Sequence, residues 1–224
     1  EHMHMERETQ NRVVQYSMLT CAQQSVMNFG ILMVQGLVNS FGPTVMAAFA
    51  AAVKIDSLAY LPVQDFGNAF STFIAQNHGA NQQERIKKGI RVSTLTAILF
   101  SVAISLIVIF AAKPLLLLFI SPEETEILAV GIQYLRIEGS FYWGIGCLFL
   151  FYGLFRGIQK PGISLVLTVI SLGTRVALAY LLSSIPFIGV IGIWASVPIG
   201  WILADLAGFF FYRRFLGRKK NVLL

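Results

Sequence analysis

The sequence has little charge and few cysteines for its length. Only 12% of its 224 residues are Asp, Glu, Lys or Arg, whereas a soluble domain carries about a quarter. So few charges cannot cover a soluble surface, which excludes a soluble globular domain. The two cysteines, Cys21 and Cys147, provide neither a secreted disulfide framework nor the ligand spacing of a metal site.

Catalytic motifs are missing from the sequence as well. There is no HExxH zinc motif, no phosphate-binding loop and no nucleophile beside a base. We therefore predict that the protein is not an enzyme and has no cofactor. The formal net charge of +6 does not indicate nucleic acid either, because the Lys and Arg residues lie at the ends of apolar segments, as the positive-inside rule distributes them. The predicted partner at this level is the lipid bilayer.

What the sequence does have is long apolar segments. Hydrophobic residues make up 56% of it, and they lie in runs longer than about 17 residues without period-2 alternation, which indicates membrane-spanning helices rather than a barrel. The predicted fold is an all-α polytopic membrane protein with a bundle of six transmembrane helices in residues 14–215. The six predicted spans are 14–38, 45–75, 92–112, 127–155, 163–182 and 190–212.

The loops between these spans differ in charge. Those on one side are basic, and those on the other side are acidic or uncharged, so both ends of the segment are predicted to be cytoplasmic. Residues 216–224 then form a cytoplasmic basic tail. The most basic internal loop follows the second span and carries Arg85, Lys87, Lys88 and Arg91.

Four ionisable residues lie within the spans, where a charge is costly and therefore a candidate for function. They are Lys54, Asp56, Glu138 and Arg175. Counting about 1.5 Å per residue from the start of each span places them at similar depth near the midplane. One interpretation is that they form neutral pairs that hold the bundle together. The other is that Asp56 or Glu138 binds a cation or a substrate, since a carboxylate can take up and release a proton or cation.

The fourth span is rich in aromatic residues and ends in a pair of glycines. An aromatic cavity would suit lipophilic cations, but packing and lipid contact explain the same composition. Gly153 and Gly157 form a GxxxG pair, which is typical of closely approaching helices.

Three motifs in order resemble one transporter family. They are FSTFIAQNHGANQQERIKKG after the second span, GLFRGIQKP after the fourth and GVIGIWASVPIGW in the last. Together they resemble the carboxy-terminal lobe of the MATE (multidrug and toxin extrusion) transporters, over residues 13–215.

This resemblance implies a fold and a function. MATE transporters have twelve helices in two six-helix lobes, and they export drugs, toxins or organic cations against an H⁺ or Na⁺ gradient by alternating access between the lobes. The chain would be the second lobe, in the bacterial plasma (inner) membrane, with the amino-terminal six-helix lobe as its partner and small organic cations as substrates. Residues 1–13 would be the inter-lobe linker or a cloning remnant.

The chain departs from one branch of that family. Asn28 and Ile145 stand where NorM-like members carry acids, so the sequence resembles the DinF-like bacterial branch more closely. In that branch the ion-coupling acid is thought to lie in the other lobe, and polar residues of this lobe would line the substrate or ion cavity. The candidates are Gln24, Asn28, Gln35, Lys54, Asp56, Glu138, Tyr142 and Arg175.

Two alternatives to an exporter remain open from the sequence. One is a flippase for lipid-linked precursors or polysaccharides from the same superfamily, which a wide basic groove would favour. The other is a membrane assembly subunit that does not transport, which a native gene product with no partner lobe would favour.

Overall fold

The computed structural model describes residues 7–217, and these residues form helices joined by short turns. In chain order, the helices are α1 (Arg7–Asn39), α2 (Pro43–Gly79), α3 (Gln83–Phe110), α4 (Ala112–Leu116), α5 (Thr125–Gly139), α6 (Tyr142–Gly157), α7 (Pro161–Ser183) and α8 (Val190–Tyr212). A π-helical turn, Arg213–Gly217, follows α8. Each of the six predicted spans coincides with one of these helices or, for the fourth, with two.

Not every predicted span is apolar enough to be recognised as one. Within residues 7–217, α2, α3, α7 and α8 are long and apolar enough to cross a membrane, and α5 with α6 makes a fifth span if the bent pair is counted as one. The first helix, α1, is long enough but is not among them, because its glutamines and asparagines lower its hydropathy. The chain is therefore a multi-pass membrane protein in which α1 is the most polar helix.

The prediction of a single helix over residues 127–155 is wrong. The structure ends α5 at Gly139 and begins α6 at Tyr142, with a bend of 51° between them. At the break, the Ser140 hydroxyl donates to the carbonyl of Arg136 at 2.6 Å. A serine hydroxyl that bonds back to the preceding turn competes with the helical ladder and often bends it.

The predicted boundaries at the two ends are only partly described. Helix α1 already begins at Arg7, so the part of the predicted linker 1–13 that the structure describes is helical rather than extended. The π-helical turn reaches Gly217, inside the predicted tail. The remaining residues of both predictions, 1–6 and 218–224, lie outside the described residues.

Glycines bring α6 against α2. A side chain at Gly153 would collide with the carbonyl oxygen of Gly67, and one at Gly157 would lie 2.8 Å from the carbonyl oxygen of Ser71. The close approach predicted from the GxxxG pair is therefore confirmed. Helices α7 and α8 pack in the same way, since a Cβ at Gly200 would lie 2.5 Å from the carbonyl oxygen of Ser171.

Three buried aromatic rings join α2, α5 and α8. Phe49 stacks on Trp194 with ring centroids 5.6 Å apart, and Tyr134 meets Trp194 edge-on at 4.8 Å. Tyr134 also meets Phe49 edge-on at 5.6 Å. Such contacts favour defined ring orientations, so this cluster fixes the face of α5 that carries Tyr134 and, one turn later, Glu138.

Candidate functional site

A cavity of about 280 Å³ opens in the interior of the bundle. Its walls come from α1, α2, α5, α6, α7 and α8, and most of them are apolar. Three charged side chains line it, and they are Asp56 on α2, Glu138 on α5 and Arg175 on α7. The structure thus brings together three of the four ionisable residues that the sequence places at similar depth.

Asp56 lies at the centre of the polar contacts. Its side chain is 3% exposed, and its Oδ1 atom accepts a hydrogen bond from the hydroxyl of Tyr142. Tyr134 and Glu138 of α5 line the same cavity as this carboxyl. The acid therefore shares its surroundings with residues from both sides of the break between α5 and α6.

Glu138 lies one residue before the end of α5 and is equally buried, at 3% exposed. Its Oε1 atom has no hydrogen-bond partner among residues 7–217. The carboxyl end of a helix carries partial negative charge, so the end of α5 adds to the negative potential beside this acid. A cation placed here would meet two carboxyls and the negative end of a helix.

Arg175 supplies the one positive charge of the cavity wall. Its Nε atom is buried without a hydrogen-bond partner, and within the described part of the chain the guanidinium makes no direct ion pair with either acid. Two carboxylates and one guanidinium have a formal charge of −1. The same described residues hold no group of three His, Cys, Asp or Glu side chains suited to a metal ion.

Of the other predicted site residues, some lie at the cavity and others lie away from it. Gln24 and Asn28 of α1 line the cavity, and Tyr142 lies beside it through its bond to Asp56. Gln35 does not line it, because seven residues beyond Asn28 place it about 10 Å further along the helix.

Lys54 also lies away from the cavity, so the predicted layer of four charges contains three. Its side chain is exposed, and its ammonium group lies 5.4 Å from the ring centroid of Phe119. The reason is rotational, since residues two apart on a helix point to different faces.

The sequence reading missed the tyrosines that surround the acids. Tyr60 and Tyr134 both line the cavity. Their spacing from the acids could have identified them. Tyr60 is four residues after Asp56, and Tyr134 is four residues before Glu138. Residues four apart share a helix face. Ile145, at a position where the resemblance expects an acid, lines the same cavity.

A further acid, Asp205 of α8, lies outside the cavity lining. Both of its carboxylate oxygens are buried, and neither has a hydrogen-bond partner in the described part of the chain. A Cβ at Gly144 would lie 3.7 Å from its Oδ2 atom, which places the carboxyl against the start of α6. Buried polar groups are nearly always paired, so this acid is an exception within the fold.

Comparison with known proteins gives consistent matches. The sequence profile described as MatE matches residues 17–181. The probable multidrug resistance protein YpnP of Bacillus subtilis is 29% identical over 203 residues, which cover 90% of this chain and 44% of that protein. The FAD transporter of Shewanella oneidensis is 29% identical over 171 residues, covering 75% of this chain and 37% of that protein.

Solved structures with the same fold also match. A transporter of the MOP superfamily from Pyrococcus furiosus superposes with a TM-score of 0.90 at 21% identity, over 97% of this chain and 49% of that one. An outward-facing multidrug resistance transporter of the MATE family gives 0.89 at 21% identity, over the same shares of the two chains. At this identity the likeness shows the fold alone. The chain spans about half the length of these solved chains and less than half of the two relatives.

Proposed function

The chain belongs to the MatE family, a family of transporters rather than enzymes, and from that premise we propose that it is one lobe of a cation-coupled exporter. The exporter moves small organic cations, including drugs and toxins, out of the cell in exchange for H⁺ or Na⁺. It resides in the bacterial plasma membrane with the basic loops on the cytoplasmic side. The assignment to the DinF-like branch stays a prediction.

The observation that carries this proposal is the acidic pair beside a single arginine. With both carboxyls ionised, Asp56, Glu138 and Arg175 have a formal charge of −1 inside an apolar bundle, and in that state the uptake of one positive charge is favourable. The broken helix α5–α6 at the same place resembles the discontinuous helices at which transporters bind coupling ions. In this mechanism the coupling ion and a cationic substrate compete for the same carboxyls, and that competition makes their movements opposite.

The length of the chain supports a partner lobe. It spans about half the length of the solved transporters that share its fold, and the charged cavity is lined by residues of this half. A binding site formed with an amino-terminal six-helix lobe would be larger and closed on both sides. Rocking of the two lobes around that site then exposes it alternately to the two sides of the membrane.

The charge of the cavity also bears on the substrate class. A relative with a similar identity transports FAD, which is anionic. Two acids against one arginine in this chain favour a cation over a phosphate-bearing molecule. We therefore propose organic cations as substrates and expect FAD to be a poor one.

Efflux from vesicles that contain the intact gene product tests the proposal. A fluorescent lipophilic cation is loaded, and a pH or Na⁺ gradient is imposed in separate runs. Gradient-driven efflux is expected, and the gradient that drives it identifies the coupling ion. Folded protein that gives no efflux under either gradient would overturn the exporter, and assays of lipid-linked precursor flipping would then separate a flippase from an assembly subunit.

A further inference from the structure

A second cavity, a groove between α2 and α3, shares no lining residue with the charged cavity. Its volume is about 430 Å³, and its main walls are Phe66, Phe70 and Phe73 of α2 with Arg85, Lys88 and Val92 of α3. Phe66, Phe73 and Val92 are partly or largely exposed. The groove therefore faces the surroundings of the lobe rather than its interior.

Helical spacing explains why one end of the groove is apolar and the other basic. The three phenylalanines lie on one face of α2, and Arg85, Lys88 and Val92 lie on one face of α3. Arg85 and Lys88 belong to the first two turns of α3, next to the loop, and Val92 lies a turn further along. The basic groups therefore lie at the loop end of the groove and the apolar wall extends along the helices.

A glycine lets the two walls of the groove touch between these ends. The ring of Phe73 packs directly on Gly89, where any side chain would collide with it. This contact joins α2 to α3 at the level between the basic end and the apolar wall.

The two basic side chains in the groove have no acidic partner within the part of the chain that the structure describes. Lys87, in the same turn, is paired with Glu84 at 2.6 Å. Among residues 7–217, neither Arg85 nor Lys88 forms an ion pair. Within these described residues the groove thus presents two unpaired positive charges, whereas Lys87 is already paired with Glu84.

We propose that this groove binds one anionic phospholipid. The acyl chain lies against Phe66, Phe70 and Val92, and the phosphate lies between Arg85 and Lys88. Basic residues next to a membrane helix attract anionic head groups, and the apolar wall beside them gives an acyl chain van der Waals contact. A neutral lipid would not pair with the two positive charges, and a free anion would not cover the apolar wall.

Lipid retention on the purified intact protein tests this site without reference to transport. Phosphatidylglycerol is titrated in detergent, and the bound lipid is counted by native mass spectrometry. Each basic side chain near a membrane strengthens such binding about fivefold, so the double variant Arg85→Gln with Lys88→Gln is expected to weaken it roughly thirtyfold. The matched control Lys87→Gln, which removes a paired charge from the same turn, is expected to leave binding unchanged.

A second variant tests the apolar part. Val92→Trp fills the groove without a change of charge, and Val92 is 55% exposed, so the core is not disturbed. It is expected to reduce binding of phosphatidylglycerol while its thermal unfolding stays like that of the parent. Three results would overturn the proposal: equal weakening by Lys87→Gln, equal affinity for phosphatidylcholine, or displacement of the lipid by inorganic phosphate. Unchanged binding in Val92→Trp would also overturn it.

Discussion

The hydroxyl of Tyr142 donates a hydrogen bond to Oδ1 of Asp56 and so connects the first residue of α6 to the middle of α2. Both side chains are buried, at 2% and 3% exposed. Because Tyr142 directly follows the break after α5, this bond ties an acid of the charged cavity to the place where the helix changes direction.

Tyr142→Phe removes the donor and keeps the ring. We expect the protein to lose about 1–3 kcal/mol of stability, because a buried acceptor loses its partner. Thermal unfolding of the purified protein measures the change. Tyr180→Phe is the control, since Tyr180 lies on α7 and is 47% exposed. Equal stability of the two variants would show that the bond to Asp56 contributes nothing.

Asp56→Asn and Glu138→Gln each remove one negative charge from the cavity with little change in shape. Gradient-driven export of the lipophilic cation is expected to fall about tenfold or more in either variant, which corresponds to about 1.4 kcal/mol. Asp65→Asn, an exposed acid on the same helix as Asp56, is expected to export normally at equal expression. Normal export by both cavity variants would make the acidic pair structural only.

Gly153→Ala adds a methyl group where α6 meets the carbonyl oxygen of Gly67. Overpacking of this kind costs about 1–3 kcal/mol, so the midpoint of thermal unfolding should fall. Gly173→Ala is the matched control because nothing lies within 4 Å of its Cβ position. There the better helix propensity of alanine should raise stability by up to about 1 kcal/mol. A rise in both variants would mean that the contact between α2 and α6 is not tight.

Asp205→Leu replaces the carboxylate whose two oxygens are buried without partners. Removal of an unsatisfied buried group is expected to raise stability by about 1–3 kcal/mol. Asp65→Leu, at an exposed position, should change stability little. A loss of stability in Asp205→Leu would instead indicate that the carboxyl binds an ion or a water in the folded protein.

The part of the fold that depends on the length of the hydrophobic segments could be predicted from the sequence. Backbone groups in lipid must bond within their own helix, so each long apolar run predicts a helix, and all six predicted spans coincide with helices. The break at Ser140 was not predicted, since residues 127–155 are apolar on both sides of it. The average composition of a span gives no sign of a single turn in which a side-chain hydroxyl competes for a backbone carbonyl.

The site was only partly accessible from the sequence. Depth could be counted, so Asp56, Glu138 and Arg175 could be expected at one level. The direction in which each side chain points could not be predicted, because it depends on which face of each helix packs against its neighbours. Lys54 shares the depth of Asp56 yet lies beside Phe119 on another face. Tyr134 lines the cavity because the ring cluster with Phe49 and Trp194 orients α5.

The sequence by itself determined that the chain is a bundle of membrane helices, because hydrophobic length is a property of the linear chain. Its motifs indicated the family. Only the tertiary structure decided which charged side chains meet. That outcome depends on helix rotation, on the close contact of Gly153 with Gly67 and on the break before Tyr142, all of which are set by packing between segments far apart in the chain.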